Sequence, residues 1–318
     1  MTSTPVAFMH VLAPRLRNAA LWLCAMCIAT AAAAAPQRAF VSPEAAVDAL
    51  VAAVKAHDRP GIVAILGAGS DKWITSGDAV ADRAAAEHFV SLFEQKHAIA
   101  PEGDARAELT IGPDDWPFAF PLMKSTTGAW RFDTAAGKDE LLARRIGQNE
   151  LAVINVMLAI VDAQREYALG SHTRDGVAQY AKKFASSPGK QDGLYWPTKD
   201  GQPESPLGPL VRRATTEGYQ AKQSDQPRPY HGYYFRMLTG QGSHAKGGAL
   251  DYVVQGRMIG GFAAVAYPAQ YANSGVMTFI VNHDGVVYQR DLGPDTAQKA
   301  RAMTRFDPGS EWTAVPAK

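Results

Sequence analysis

The stretch DELLARRIGQNELAVINVMLAIVDAQREYAL, residues 139–169, decides how the rest of the chain is arranged. Between residues 151 and 161 only Asn155 interrupts the apolar residues. The helical pattern continues through Gly147, although glycine costs a helix about 1 kcal/mol relative to alanine. A helix this apolar is expected to be covered on nearly all sides. We therefore predict a central helical spine over residues 139–186. A membrane span is the alternative, for which eleven apolar residues are too few.

Helices followed by short strands precede the spine. Ser42, Pro43 and Glu44 are typical of a helix start, and apolar residues recur at helical spacing after them. Further helices are predicted at 62–66 and 78–97, and then the period changes to that of strands, at 107–111, 116–124 and 130–134. Pro117 and Pro121 indicate an edge or bulged middle strand. This pattern predicts an N-terminal α+β domain over residues 40–138 with a small curved antiparallel sheet. It resembles the nuclear-transport-factor-2-like folds.

A second antiparallel sheet is predicted after the spine. A helix is expected at 176–185, then a loop over 187–210 with five prolines, then a brief helix at 210–217. Strands follow at 232–238, 252–254, 261–267, 276–281 and 286–289, with a last helix at 295–306. Asn282-His283-Asp284-Gly285 is the strongest hairpin pattern. Residues 187–318 form the predicted C-terminal α+β domain, whose sheet loosely resembles the heads of type IV pilin-like proteins. The overall fold class is α+β.

The N-terminus has the pattern of a Sec-type export signal. Arg15 and Arg17 provide a positive flank, an apolar run covers about 19–30, and alanines occupy 31–35. Cleavage is predicted near Ala34, which gives a signal peptide over residues 1–34 and a periplasmic or secreted protein. A retained anchor helix and a lipid anchor on Cys24 or Cys27 are the alternatives. The apolar run is short for a membrane span, and Leu23 and Met26 stand where a lipoprotein signal needs small residues.

Composition excludes several function classes. Both cysteines lie within residues 1–34, so the processed chain has no disulfide, thiolate nucleophile or cysteine-ligated metal. The processed chain carries 30 Lys and Arg against 31 Asp and Glu, which gives no electrostatic footprint for nucleic acid or an anionic membrane. We expect a protein of the cell envelope or a small molecule as the partner, and no stable membrane span after cleavage.

Familiar catalytic and cofactor motifs fail on their spacing. Residues 67–69, GAG, lack the third glycine of a dinucleotide loop, and GSHAKGG, 242–248, lacks the lysine and hydroxyl residue of a phosphate loop. Ser187 and Lys190 have the spacing of penicillin-binding enzymes, but Pro188 and Gly189 between them disfavour the required helix. The histidines do not pair at metal-ligand spacing. No cofactor and no metal site are predicted.

The remaining candidates are carboxylates, aromatic residues and one histidine. Glu150 and Asp162 on the spine indicate a hydrogen-bond and ion-pair network that joins the two halves, with acid–base catalysis as the alternative. Tyr195 and Trp196, in the long loop, are candidates for contact with a partner. The stretch PYHGYYFRML, 229–238, reads as the first strand of the second sheet, with His231 at its start. Tyr233 and Arg236 in that strand are further candidate binding residues.

Over residues 40–312 the chain resembles the exported bacterial proteins known as domain of unknown function 2950. The stretches that carry the resemblance are DWPFAFPL (115–122), WRFDTAAGKDELLARRIGQNEL (130–151), SPGKQDGLYWP (187–197), SPLGPL (205–210), PYHGYYFRMLTGQG (229–242) and SGVMTFIVNHDGVVYQRDLG (274–293). The resemblance implies an exported protein, and it transfers no activity, cofactor or catalytic residue.

Two functional hypotheses follow. The first is a non-catalytic binding or envelope-associated protein that uses the 187–210 loop and the second sheet. The second is a small-ligand protein or hydrolase with a pocket between the two halves. There His231 is the general base, Glu150 or Asp284 orients it, and Tyr195 and Tyr233 line the pocket. We favour the first, because no catalytic group is assembled in the sequence.

Overall fold

The structure, a computed structural model, describes residues 36–170, 176–220 and 227–316. The predicted signal peptide and both cysteines lie outside these residues. Residues 35–318 belong to one compact unit, within which the buried apolar side chains form two clusters.

Three capped helices begin the described chain: α1 (Pro43–Lys55), α2 (Arg59–Leu66) and α3 (Ala79–Gln95), with a 3₁₀ turn at Ser70–Lys72. The side chains of Ser42, Asp58 and Asp78 each accept a hydrogen bond from a backbone N–H in the first turn of the helix that follows. Such caps satisfy donors that the helix itself leaves unpaired. The three predicted helices are thus confirmed, although α3 ends two residues before His97.

The first sheet has five strands: β1 (His97–Glu102), β2 (Arg106–Ile111), β3 (Trp116–Pro117), β4 (Leu122–Lys124) and β5 (Trp130–Phe132). Their order is β1-β2-β4-β5, with β3 also paired to β2. The predicted strand at 116–124 divides in two, because neither Pro117 nor Pro121 can donate to a ladder. Strand β1 was not predicted, since its residues are almost all exposed and show no apolar alternation.

The spine is a single helix, α4 (Thr134–Leu169), which the Asp133 side chain caps. It starts five residues before the predicted boundary and ends well before residue 186. Its inner face, at Val153, Val156, Met157, Ile160 and Val161, packs in the C-terminal core. The prediction that it is covered on nearly all sides is wrong, because an exposed stripe runs along Leu151, Asn155, Leu158 and Asp162.

By length and composition α4 is the one helix in the described part of the chain that could cross a membrane. One third of its most apolar window is buried inside the protein. That buried third packs against β11 (Ala263–Pro268) and β12 (Met277–Asn282) of the second sheet. This is the packing of a helix in a folded core.

The predicted helix at 176–185 is wrong. The backbone there pairs with distant residues instead: Tyr180 N–H donates to the Met258 carbonyl at 2.8 Å. Ala181 exchanges two hydrogen bonds of 2.8 Å with the fully buried amide of Gln164 on α4. These bonds satisfy the backbone groups that a helix would use.

The second sheet has the order β15-β13-β12-β11-β6, where β6 is Tyr233–Leu238, β13 is Val287–Asp291 and β15 is Thr313–Ala314. Shorter strands flank it: β7 (Gly240–Gln241), β8 (Leu250–Asp251), β9 (Val253–Val254), β10 (Arg257–Met258) and β14 (Arg305–Phe306). The hairpin predicted at Asn282–Gly285 joins β12 and β13. Helices α5 (Gly208–Thr216) and α6 (Thr296–Ala302) complete the fold. The α+β class with a long central helix is confirmed.

Candidate functional site

A cavity of about 720 Å³ lies where three distant parts of the chain meet. Residues 77–80 at the start of α3 form one wall, and α5 with Tyr195 and Pro197 forms another. Residues 228–230, just before β6, form the third. The lining is mostly apolar and aromatic. A volume in this range suits a small organic ligand.

A tight turn between Tyr230 and Tyr233 fixes the position of the third wall, residues 228–230. Tyr230 and Tyr233 exchange two backbone hydrogen bonds, 2.9 and 3.1 Å long, around His231 and Gly232. Both central residues have positive φ, 50° for His231 and 72° for Gly232, as a type I′ hairpin turn requires. Glycine is needed at the second position because a Cβ would lie 2.7 Å from Asn149 Nδ2 and 2.9 Å from Ser274 Cβ. His231 therefore holds a conformation that non-glycine residues seldom adopt.

The carboxylate of Asp78 connects the three walls. One oxygen accepts from the N–H groups of Val80 and Ala81 and so caps α3. The other accepts from the Tyr219 hydroxyl and from the Gly232 N–H, both at 2.9 Å. Asp78 is 2% exposed, and these four donors replace the water that burial removes.

Tyr219 and His231 extend this network. The Tyr219 hydroxyl accepts a 3.3 Å hydrogen bond from the His231 N–H while it donates to Asp78. Burial, reinforced by the negative charge of Asp78, raises the pKa of Tyr219 and keeps the phenol neutral. The same bonds hold the β6 turn against the start of α3.

The His231 ring lies next to the cavity without lining it. Its Nε2 is 3.4 Å from the Glu217 carboxylate, at the end of α5, and the ring packs on Tyr230 with 4.1 Å between centroids. Burial lowers the pKa of His231. The charges of Glu217 and Asp78 oppose that shift, and the charge of Arg213 adds to it. The carboxylate facing His231 is thus Glu217, and not Glu150 or Asp284 as the sequence suggested.

Tyr230 places a phenol ring in the cavity wall, and its hydroxyl is buried close to Glu217. Burial raises the pKa of this phenol, and the nearby negative charge of Glu217 adds to the shift. Tyr230 therefore contributes its ring, and not its hydroxyl, to the surface that a ligand would contact.

Glu150 has a structural role. Its Oε1 accepts from the backbone N–H groups of Val276 and Met277, each at 2.9 Å, and lies 3.4 Å from the Tyr233 hydroxyl. One turn earlier, Arg145 bonds the Trp73 carbonyl at 2.8 Å and Asn273 Oδ1 at 2.6 Å. The hydrogen-bonded part of the predicted network is therefore present, whereas Asp162 makes only an exposed ion pair of 3.7 Å with Arg165 on the same helix.

Three other predicted site residues lie outside the cavity wall. Tyr233 is fully buried in the core, so it does not line the pocket. The Arg236 guanidinium donates to the carbonyls of Ala300 and Met303 at the end of α6. Asp284 is exposed in the β12–β13 hairpin, where it pairs with Asn282. The contacts of these three side chains are all within the protein, so none of them indicates a ligand-binding site.

The long loop contributes Tyr195 and Trp196 as predicted, but it is anchored. Leu194 and Leu207 are buried in the core, and the Tyr195 N–H donates to the Phe184 carbonyl at 2.8 Å. Tyr195 lines the large cavity, while Trp196 packs edge-on against Tyr167 and lines two smaller cavities of about 480 and 310 Å³. Both aromatic rings are therefore held in fixed positions at the surface.

Ser187 has a lysine partner, although it is not Lys190. Lys183 Nζ lies 2.7 Å from Ser187 Oγ and 2.9 Å from the Asp192 carboxylate. Hydrogen bonds from Lys183 and Ser187 lower the pKa of Asp192 to about 2. Lys183 is thus the ion-pair partner of a carboxylate, which does not suit a base that activates serine. Within the described residues no group of three or more His, Cys, Asp or Glu is placed to hold a metal ion.

Sequence reasoning missed Asp78, Glu217, Tyr219 and Arg228 as site residues. Asp78 was assigned only as the start of a helix, and Glu217 only as the end of one. The clue in the sequence was the pair His231-Gly232 at the start of a predicted strand. A histidine before a glycine at such a position indicates a strained turn, and a strained turn needs support from other segments.

Comparison with known proteins gives one family. Residues 37–315 match the family described as protein of unknown function (DUF2950). No curated protein and no solved structure matches the chain.

Proposed function

The chain belongs to the DUF2950 family, and we propose that it is a non-catalytic binding protein whose ligand occupies the cavity beside Tyr230. The cavity itself is the observation that carries the proposal. It has the size and apolar lining of a small-molecule site, and three segments distant in sequence build it. Asp78 fixes those segments to one another, so the site exists before a ligand arrives.

A cavity-filling variant tests this function. Ala214 on α5 lines the cavity, and Ala214→Trp should fill it. A screen of small molecules by thermal shift should find compounds that raise the Tm of the wild-type protein and leave that of Ala214→Trp unchanged. Ala105→Trp is the control, because Ala105 is exposed in the β1–β2 turn. If the same compounds stabilise Ala214→Trp as strongly as the wild type, the cavity is not the ligand site.

Export is the second part of the proposal. The arginine flank, short apolar run and alanines of residues 1–34 support a periplasmic or secreted location, where the partner is an envelope component or a small molecule. Cell fractionation and N-terminal sequencing test it. The processed chain should start at Ala35, and a chain without residues 1–34 should stay in the cytoplasm.

The His231–Glu217 contact supports hydrolysis as a second candidate, since a carboxylate can orient a histidine base. In the described chain no serine or threonine hydroxyl bonds to the ring, so this base would have to act on water. His231→Asn should abolish hydrolysis of ester and amide substrates if the candidate is correct. Hydrolysis equal to that of the wild type would exclude it.

A further inference from the structure

We propose that the cavity binds an amphipathic monoanion, with its apolar body inside and its acidic group at Arg228. This rests on the proposed binding function and adds the chemical class of the ligand. The lining of the cavity and the charges around it support this assignment.

The lining selects an apolar body. Tyr195, Pro197, Leu210, Val211 and Tyr230 face the space, together with small apolar side chains from α3 and α5. Displacing water from such walls favours hydrocarbon over a polar ligand. An alkyl chain or a small ring system meets this requirement.

The charges select an anion. Asp78 and Arg228 are the only charged side chains among the lining residues that the structure describes. Four donors already surround the Asp78 carboxylate, so it offers a cationic ligand little. Arg228 is exposed at the cavity wall, and no carboxylate in the described chain pairs with it. Its guanidinium suits a carboxylate, sulfonate or phosphate group.

Glu217 limits the ligand to one charge. The Tyr230 ring lines the cavity, and its hydroxyl is buried beside Glu217. Glu217 lies close enough to act electrostatically on that phenol and on His231, so a second anionic group would be repelled there. The acidic group therefore belongs at the Arg228 end.

Three probes with one chain length test the class: decanoate, 1-decanol and decylamine, each below its micelle concentration. Isothermal titration calorimetry on the processed chain should show the highest affinity for decanoate, a lower affinity for decanol and the lowest for decylamine. An exposed ion pair of this kind is expected to improve affinity about fivefold over the alcohol.

Variants of Arg228 test whether this residue causes the preference for decanoate over decanol. Arg228→Gln should lower decanoate affinity to that of decanol and leave decanol binding unchanged, while Arg228→Lys should keep most of the preference. Arg131→Gln is the matched control, because Arg131 is exposed on β5 of the other sheet.

The outcomes separate the two proposals. Equal affinity for all three probes, or decanoate binding that Arg228→Gln does not change, would overturn the anion assignment. If none of the three binds while other compounds stabilise the wild type and not Ala214→Trp, the assignment fails and the binding function stands. Binding to phosphatidylglycerol vesicles, with no binding of monomeric decanoate, would also overturn it, since the preference would then be for a membrane surface.

Discussion

The hydroxyl of Tyr219 donates a 2.9 Å hydrogen bond to the carboxylate of Asp78, although 141 positions in the sequence separate the two residues. This bond joins the chain after α5 to the start of α3. It also places a tyrosine between the buried carboxylate and the His231 turn. The three walls of the cavity are therefore held to one another by the hydrogen bonds of Asp78, of which this is one.

Removing that bond should destabilise the protein. Tyr219→Phe leaves a buried acceptor with one donor fewer, so the free energy of unfolding should fall by about 1.5 kcal/mol. Urea denaturation followed by circular dichroism measures it. Tyr234→Phe is the control and should change stability little, because Tyr234 is also partly buried and its hydroxyl makes no hydrogen bond within the described residues. A loss for Tyr219→Phe no larger than for the control would contradict the role assigned to the bond.

The β6 turn should not accept a side chain at Gly232. Gly232→Ala places a Cβ against Asn149 and Ser274 at positive φ and should cost about 3 kcal/mol. Gly103 has nearly the same φ, 69° against 72°, but a Cβ added there would have no atom within 4 Å. Gly103→Ala should therefore cost only about 1 kcal/mol. Equal losses in a thermal or urea series would show that crowding does not act at Gly232.

The Glu150 contact should be among the stronger ones on α4. Glu150→Ala leaves the N–H groups of Val276 and Met277 without their charged acceptor and should lower the free energy of unfolding by about 3 kcal/mol. Glu166→Ala, at an exposed position on the same helix, should have little effect. Hydrogen exchange gives a local readout, since the Val276 and Met277 amides should lose protection in Glu150→Ala alone. If the protection of these two amides is unchanged in Glu150→Ala, the loss of stability does not come from this contact.

Acidification should lower the free energy of unfolding, because His231 takes up a proton more readily in the unfolded chain. Because burial lowers the pKa of His231 in the folded state below its ordinary value of 6.5, the unfolded chain binds the proton more readily. The stability contribution is complete above about pH 6.5 and is lost as the pH falls through that value toward the lower folded pKa. His231→Asn, which tolerates positive φ, should lose less stability than the wild type between pH 7 and 5.

His88→Asn is the control for that series, because His88 is exposed on α3. It should keep the pH dependence of the wild type. Identical pH dependence for the wild type and His231→Asn would contradict the assignment.

The sequence predicted those helices and turns that are stabilised by residues next to them in the chain. Ser42 and Asp78 begin helices because their side chains accept from the first-turn N–H groups. The Asn282–Gly285 hairpin was predicted from its turn residues, with Gly285 at φ 83°. His231 was expected in a turn at the start of β6, and it lies in one.

Elements held by distant partners could not be predicted. Residues 176–185 have helical spacing, but Gln164 and Met258 supply the backbone bonds that replace the helix. Two of the four residues of the exposed stripe on α4, Leu151 and Leu158, are as apolar as the buried Val153, so residue type does not show which of them are covered. The cavity was missed for a similar reason, since Asp78, Tyr195 and Tyr230 meet only in the fold.

Helix α4 also has a consequence for the order in which the chain can fold. Its apolar inner face leaves the ribosome about a hundred residues before β11 and β12, which cover it. During that interval the face has no strand to pack against, and such exposed apolar surfaces aggregate. The inner face of α4 therefore stays uncovered until the chain has been made as far as β12.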